Sequence, residues 1–305
     1  MLFSTDPTLQ VVKEQYTNQE GLIHAYPLQQ DSEYLSESIG LYMEYLVLVK
    51  DEERFSEQYE ILMNNYQIQQ GDLIFIQWVL KMNTKANALI DDVRIISALH
   101  DASTLFEEPK YAESANQLTL AITSNQKSNG YTVDFYDWSL NMPAKRITLS
   151  YLTNEFFQST TDTDNMKDLL KNLDDTTVFF PEYFDVTKRK YRESEEVHMI
   201  DQLLIAINRE NIGYPSEIFK TWCLNEWKHE GKIYGRYDRQ TKTASVTYES
   251  LAVYYYLNTY FQKINEPDLA KEVLEHAELL ASESTIGEAH FFDYIHFQLM
   301  KKNME

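Results

Sequence analysis

Cysteine is almost absent from this chain. Cys223 is the one thiol in 305 residues, so no intrachain disulfide can form. It sits in Lys220-Thr221-Trp222-Cys223-Leu224, a helical context that predicts a packed thiol rather than a nucleophile. Helix breakers are scarce, with 8 Gly and 7 Pro, which argues against a turn-rich β fold and for long helices. Basic residues are few: 27 Lys and Arg stand against 48 Asp and Glu, a formal net charge of -21. That field repels phosphate backbones and anionic surfaces, so nucleic acid is not an expected partner and a neutral or cationic ligand fits better. The same charge also simply keeps a protein dissolved. No apolar run reaches the ~18 residues of a membrane-spanning helix. The start, Met1-Leu2-Phe3-Ser4-Thr5-Asp6, has neither a basic region nor an apolar core, so no signal peptide is expected. Such a chain is either a mature or trimmed form, or cytoplasmic if complete. Missing too are a Gly-rich phosphate loop, a Gly-x-Ser-x-Gly elbow and any compact ligand spacing among His24, His100, His198, His290 and His296. No metal or other cofactor is expected.

What is present is helical patterning. Hydrophobic residues make up 43%, enough for a globular core. No Pro/Gly/Ser-rich linker divides the chain, so residues 1–305 are expected to form a single domain, as a monomer. About twelve helical segments are expected, at 8–18, 34–49, 51–68, 91–106, 108–125, 147–158, 162–173, 195–208, 214–228, 247–263, 266–282 and 287–301. Short β-like runs at Leu73–Ile76, Tyr131–Val133 and Val178–Phe180 interrupt them. Two kinds of helix alternate. Leu41–Val49 and Leu251–Leu257 are apolar nearly all round and so buried on every side, whereas Asp51–Tyr66 and Asp268–Leu280 are amphipathic and charged. An inner helix followed by an outer one, about six times, predicts an all-α fold, an (α/α)6 barrel; a helical solenoid has the same count.

A carboxyl group inside an apolar helix is costly unless paired, protonated or used. Glu37 stands in Ser36-Glu37-Ser38-Ile39-Gly40-Leu41-Tyr42-Met43, and Asp201 in Met199-Ile200-Asp201-Gln202-Leu203-Leu204. Plain structural explanations exist for both: acids suit first helical turns, and a buried Asp can be an ion-pair partner. Further segments stand in order along the chain: Asp72–Trp78, Ala88-Leu89-Ile90-Asp91-Asp92, Leu149-Ser150-Tyr151, Val178–Phe184 and Thr247-Tyr248-Glu249-Ser250-Leu251.

Taken together, these segments over roughly residues 32–262 resemble glycoside hydrolase family 8. Ser36, Glu37, Gly40 and Met43 match its Ser-Glu-Gly-x-Gly-Tyr-Gly-Met signature, while Ser38, Leu41 and Tyr42 depart from it. Asp92 matches the second Asp of the family's Ala-Thr-Asp-x-Asp, and Ile90 stands at the first, with Asp91 beside it. Leu149-Ser150-Tyr151 is similar to a Leu-Ser-Tyr-x-x-Pro helix without its proline, and Leu204 replaces an Arg that follows the family's Tyr-Asp-Ala. The resemblance implies inverting hydrolysis of a polysaccharide: a β-1,4-type glucan, an amino-sugar polymer or a bacterial exopolysaccharide. It implies Glu37 as general acid, Asp201 as general base and Tyr248 as the group orienting the attacking water. Asp91 and Asp92 would serve in sugar binding, although Asp91 also reads as an N-cap. Trp78, Trp138 and Tyr151 are candidates for the cleft, with core packing as the competing explanation. A polymeric substrate implies an extracellular or cell-surface location. Two other readings stay open: an inactive glycan-binding descendant, motivated by Ile90, and a helical-repeat interaction scaffold.

Overall fold

Asp6 and Pro7 start the first helix by local chemistry. The Asp6 side chain accepts the Thr8 amide at 2.9 Å, and Pro7 takes a first-turn position where its missing N–H costs nothing. The computed structural model describes residues 6–161, 163–282 and 286–305. Met1–Thr5, where a leader is sought, and the first residue of the expected 162–173 helix lie outside them. The described α-helices are α1 (Pro7–Val11), α2 (Ser36–Leu48), α3 (Glu52–Ile61), α4 (Leu89–Leu105), α5 (Pro109–Asn125), α6 (Asn154–Ser159), α7 (Asp164–Lys171), α8 (Met199–Asn211), α9 (Glu217–Glu230), α10 (Leu251–Lys263), α11 (Pro267–Leu280) and α12 (Phe291–Met304). Among the described residues, none is long and apolar enough to cross a membrane.

The two helix kinds separate into two rings. α2 packs on α4, α4 on α6, α8 on α10, α10 on α12, and α12 back on α2. The 3-10 turn Leu149–Tyr151 packs on α8. α3 lies against α2, α5 against α4, α7 against α8, and α11 against α10 and α12. α10 buries Leu251 to Tyr254, Tyr256 to Asn258, Tyr260 and Phe261, as an inner helix must. α11 buries Ala270, Val273 and Ala277, one stripe at helical spacing. Gly40 lets α2 and α4 pack closely: a Cβ there would stand 3.0 Å from Ile95 Cγ1. The molecule is therefore an all-α (α/α)6 barrel with short strands confined to its loops. Closure of the inner ring sets aside the solenoid.

Three expectations about local structure are corrected. The 147–158 segment is not one helix: Arg146–Thr148 pairs with Tyr183–Asp185 as strand, and α6 starts only at Asn154, capped by Thr153. The 195–208 segment likewise opens as strand, Glu196–His198 pairing with Arg236–Asp238, so α8 begins at Met199. Val178–Phe180 is not a strand. The side-chain amide of Gln202 stands in for a partner strand, accepting from Phe180 N at 2.7 Å and donating to Phe180 O at 3.0 Å. Leu73–Ile76 does pair, with Gln67–Gln70. Tyr131–Thr132 pairs with Lys127–Ser128 across Asn129-Gly130, both at positive φ, the tight hairpin those residues favour.

Candidate active site

The inner helices begin at one end of the barrel, and a cavity of about 530 Å³ opens there. Its walls come from the first turns of α2 (Glu37), α8 (Asp201) and α12 (Asp293), from Arg94 on α4, and from Ser150, Tyr151, Tyr248 and Ser250 just before helices. Helix N-termini carry partial positive charge, so carboxylates are favoured at this end. The structure thus brings together Glu37, Asp201, Tyr151 and Tyr248, four of the residues singled out in the sequence.

Glu37 lies deep in the wall. Burial, then the Asp91 carboxylate, push its pKa up to about 8; Arg94 pulls it down and Asp293 adds to the rise. Asp91 is buried behind it and accepts from Ser36 Oγ at 2.8 Å, with Arg94 Nη1 at 3.4 Å from its other oxygen. Burial raises Asp91 too. It is not the N-cap of α4, since Ala88 holds that position. Burial alone would pull Arg94 down, but Tyr256, Asp91, Glu44 and Glu37 outweigh it and hold the guanidinium charged.

Asp201 faces the cavity from α8. Ser150 Oγ donates to its Oδ1 at 2.6 Å, and His198 Nδ1 stands 3.9 Å from Oδ2. Burial lowers the His198 pKa, against the pull of Asp201. The segment carrying Ser150 is itself fixed: buried Asp134 accepts from Thr148 N at 2.6 Å, Thr148 Oγ1 at 2.8 Å and Arg146 Nε at 2.9 Å. Tyr248 is half exposed, and its hydroxyl accepts from Arg236 Nε at 3.3 Å. Gly235 lies against its ring so closely that a Cβ would meet Tyr248 Cε2 at 2.3 Å.

Four sequence candidates do not line this cavity: Asp91, which lies behind Glu37, and Trp78, Trp138 and Asp92. Trp78 is exposed, and its carbonyl accepts the Ser36 amide at 3.0 Å, so its backbone anchors the start of α2. Trp138 packs on Phe75, ring centres 6.1 Å apart, against β-hairpin residues. Asp92 is buried and accepts from Asn87 Nδ2; burial raises its pKa well above the usual carboxylate range. Ile90 and Leu204, at positions that are polar in the family pattern, line the cavity.

Asp293 is a cavity carboxyl outside the segments that carry the resemblance. Its Oδ1 accepts from Ser250 Oγ at 2.6 Å and Ala252 N at 2.9 Å, tying α12 to the start of α10. The signal was available: Phe291-Phe292-Asp293-Tyr294-Ile295 is a carboxyl within an apolar run, the pattern that exposed Asp201. Among the described residues, no group of three or more His, Cys, Asp or Glu is arranged to hold a metal ion.

The closed double ring of helices, with an acid-lined cavity at the starts of the inner helices, defines the class as an (α/α)6 barrel. No family model matches the chain. The crystal structure of PssZ from Listeria monocytogenes is 36% identical, with TM-score 0.90 over 98% of this chain and 95% of that one. YdaJ of Bacillus subtilis (strain 168), whose name marks it as a candidate lipoprotein, is 31% identical over 252 residues, 78% of this chain and 67% of that protein. The chain belongs to the family of these two proteins. Two more distant structures share the fold. An α-amylase from Clostridium perfringens has TM-score 0.84 at 19% identity, over 98% of this chain and 97% of that one. Endoglucanase Cel10 of Klebsiella pneumoniae, a family 8 glycosyl hydrolase, has TM-score 0.70 at 13% identity, over 98% of this chain and all of that one.

Proposed function

We propose that this chain is an inverting glycoside hydrolase of the family 8 type, acting on a polysaccharide with Glu37 as general acid and Asp201 as general base. The observation that carries the reading is that two carboxyl groups, on the first turns of α2 and α8, share one cavity, and that burial pushes Glu37 up to about 8. A carboxyl that keeps its proton near neutrality can protonate the leaving glycosidic oxygen. Asp201, as carboxylate, takes a proton from water on the other face of the sugar, and that water attacks the anomeric carbon. Inverting pairs stand ~6.5–9.5 Å apart to admit it. Tyr248, at the cavity rim, is assigned to orient the water, and Tyr151 to the sugar-lined wall. This acid–base chemistry calls for no metal. The names of the fold neighbours, α-amylase and endoglucanase, support polysaccharide cleavage as the shared chemistry and leave the linkage to experiment.

Action on a polymer goes with an extracellular or cell-surface location, and the name of YdaJ supports it. The chain is taken to act as a monomer, which light scattering tests. A non-catalytic glycan-binding role is the second reading, favoured by the apolar Ile90 and Leu204 on the cavity wall.

The deciding experiment measures reducing-sugar release from β-glucans, xylan, chitosan, starch and bacterial exopolysaccharides, with wild type, Glu37→Gln and Asp201→Asn. Release from one polymer, abolished by both substitutions, with the product's anomer inverted by NMR, is the expected result. Activity that survives either substitution removes the assignment. Polymer binding without release favours the second reading.

A further inference from the structure

A second cavity, of about 250 Å³, lies further along the barrel axis, past the floor formed by Ile90, Arg94, Leu204 and Tyr256, which line both spaces. Its far walls come from Val47, Asp101, Asn211 and Thr259, towards the C-terminal ends of α2, α4, α8 and α10. Helix C-termini carry partial negative charge, the reverse of the first cavity's end.

Glu44 stands seven residues after Glu37 on the same face of α2 and lines this space. Among the described residues its carboxyl has neither a hydrogen bond nor an ion pair, and the Tyr255 hydroxyl beside it also lacks a hydrogen bond. Glu44 is half-buried, and its carboxyl is left facing the cavity with Arg94 as the only cation whose field acts on it. Asp101 and Glu155 add two more carboxylates at the same cavity. Arg94 is the one cation lining it, and its ion pair is with Asp91 on the other side. His296 adds no charge: its Nδ1 lies 2.7 Å from Phe292 O and so carries the proton, leaving Nε2 to accept from Tyr256 OH at 3.0 Å, and burial pushes its pKa down to about 3. Tyr255 and Tyr256, edge-to-face at 4.9 Å, supply aromatic surface of the kind that receives ammonium groups. The space is below the roughly 300–1,000 Å³ of pockets for drug-sized ligands, so its occupant is small.

We infer that the barrel holds a second ligand site, at the end away from the Glu37–Asp201 cavity, which takes a small organic ammonium ion on Glu44, against the aromatic wall of Tyr255 and Tyr256. The reading does not depend on the proposed hydrolysis. It makes binding pH-dependent. Burial raises the Glu44 pKa to about 7, with Arg94 opposing and Glu155 and Asp101 adding to the rise. The other groups facing it are Tyr255 and Tyr256 from α10 and neutral His296 from α12; α8 presents Asn208 and Asn211. Affinity therefore strengthens as pH rises through about 7 and Glu44 ionises.

Isothermal titration calorimetry with ethanolamine, and with ethylene glycol as its neutral counterpart, tests this. Wild type is expected to bind ethanolamine about tenfold more tightly at about pH 8 than at about pH 6, following the ionised fraction of Glu44, and not to bind ethylene glycol. Glu44→Gln should abolish binding, Asp101→Asn should weaken it, and Asp201→Asn should leave it unchanged. Should Glu44→Gln fail to fold, Asp101→Asn carries the test. No ethanolamine binding to wild type, equal binding of both probes, or binding that is lost in Asp201→Asn and kept in Glu44→Gln overturns the inference.

Discussion

Ser150 Oγ donates a 2.6 Å hydrogen bond to Asp201 Oδ1, and Asn208 Nδ2 reaches back from the same helix to Ser150 O at 3.3 Å. The turn before α6 and the start of α8 are thereby locked together around the proposed base. A hydrogen bond to a charged group is worth roughly 1.5–3 kcal/mol. Ser150→Ala is expected to lower kcat about tenfold or more with little change in KM, and Ser150→Thr to restore part of it. An unchanged kcat in Ser150→Ala would show that Asp201 needs no such anchor.

As the proposed general acid Glu37 must carry its proton, so activity is expected to fall as pH rises through about 8. Its neighbours set where that limb lies. Asp293 raises the Glu37 pKa and Arg94 lowers it. Asp293→Asn is therefore expected to move the alkaline limb of the pH–rate profile down, and Arg94→Gln to move it up. Shifts in the same direction would mean that a different group controls the limb.

Part of the candidate site was legible through the matched segments, which single out Glu37 and Asp201 among the carboxyls. Glu37 and Asp201 each interrupt an apolar run, and the fold brings both to one cavity. Asp293 interrupts a run in the same way but lies beyond the matched segments, so the resemblance does not mark it. Aromatic residues carry no such mark: Trp138 serves core packing as well as it could serve a sugar, and it packs on Phe75. The two rings were legible in the contrast between helices such as α10 and α11. The strand openings at Arg146–Thr148 and Glu196–His198 were not, because their partners lie about 40 residues away and local preference cannot see them.

Gly235 explains itself through Tyr248. Its amide donates to Tyr248 O at 3.2 Å, and the ring occupies the space a side chain would need. Gly235→Ala should push the ring away from the cavity rim. Tyr248 is 49% exposed, so it can move at little cost to stability. The expected outcome is reduced kcat with a melting temperature close to wild type. Tyr248→Phe keeps the ring and removes the hydroxyl; equal kcat in Tyr248→Phe and wild type would remove Tyr248 from the water-orienting role.

Glu44 makes stability depend on pH in a direction opposite to that of a salt-bridged acid. Its folded pKa is raised, to about 7 from a reference of 4.5, so the native state holds a proton that the unfolded chain has already lost between those values. The favourable contribution of the protonated form is present below about pH 4.5 and is lost as pH rises through about 7. At 1.36 kcal/mol per unit, the loss across that window is about 3 kcal/mol at most. Gln cannot ionise, so Glu44→Gln should be close to wild type in urea unfolding at about pH 5 and more stable by about 2 kcal/mol at about pH 8. A difference that does not change with pH would mean that the carboxyl keeps its charge in the folded barrel, and would take away the titration on which the ethanolamine pH profile rests.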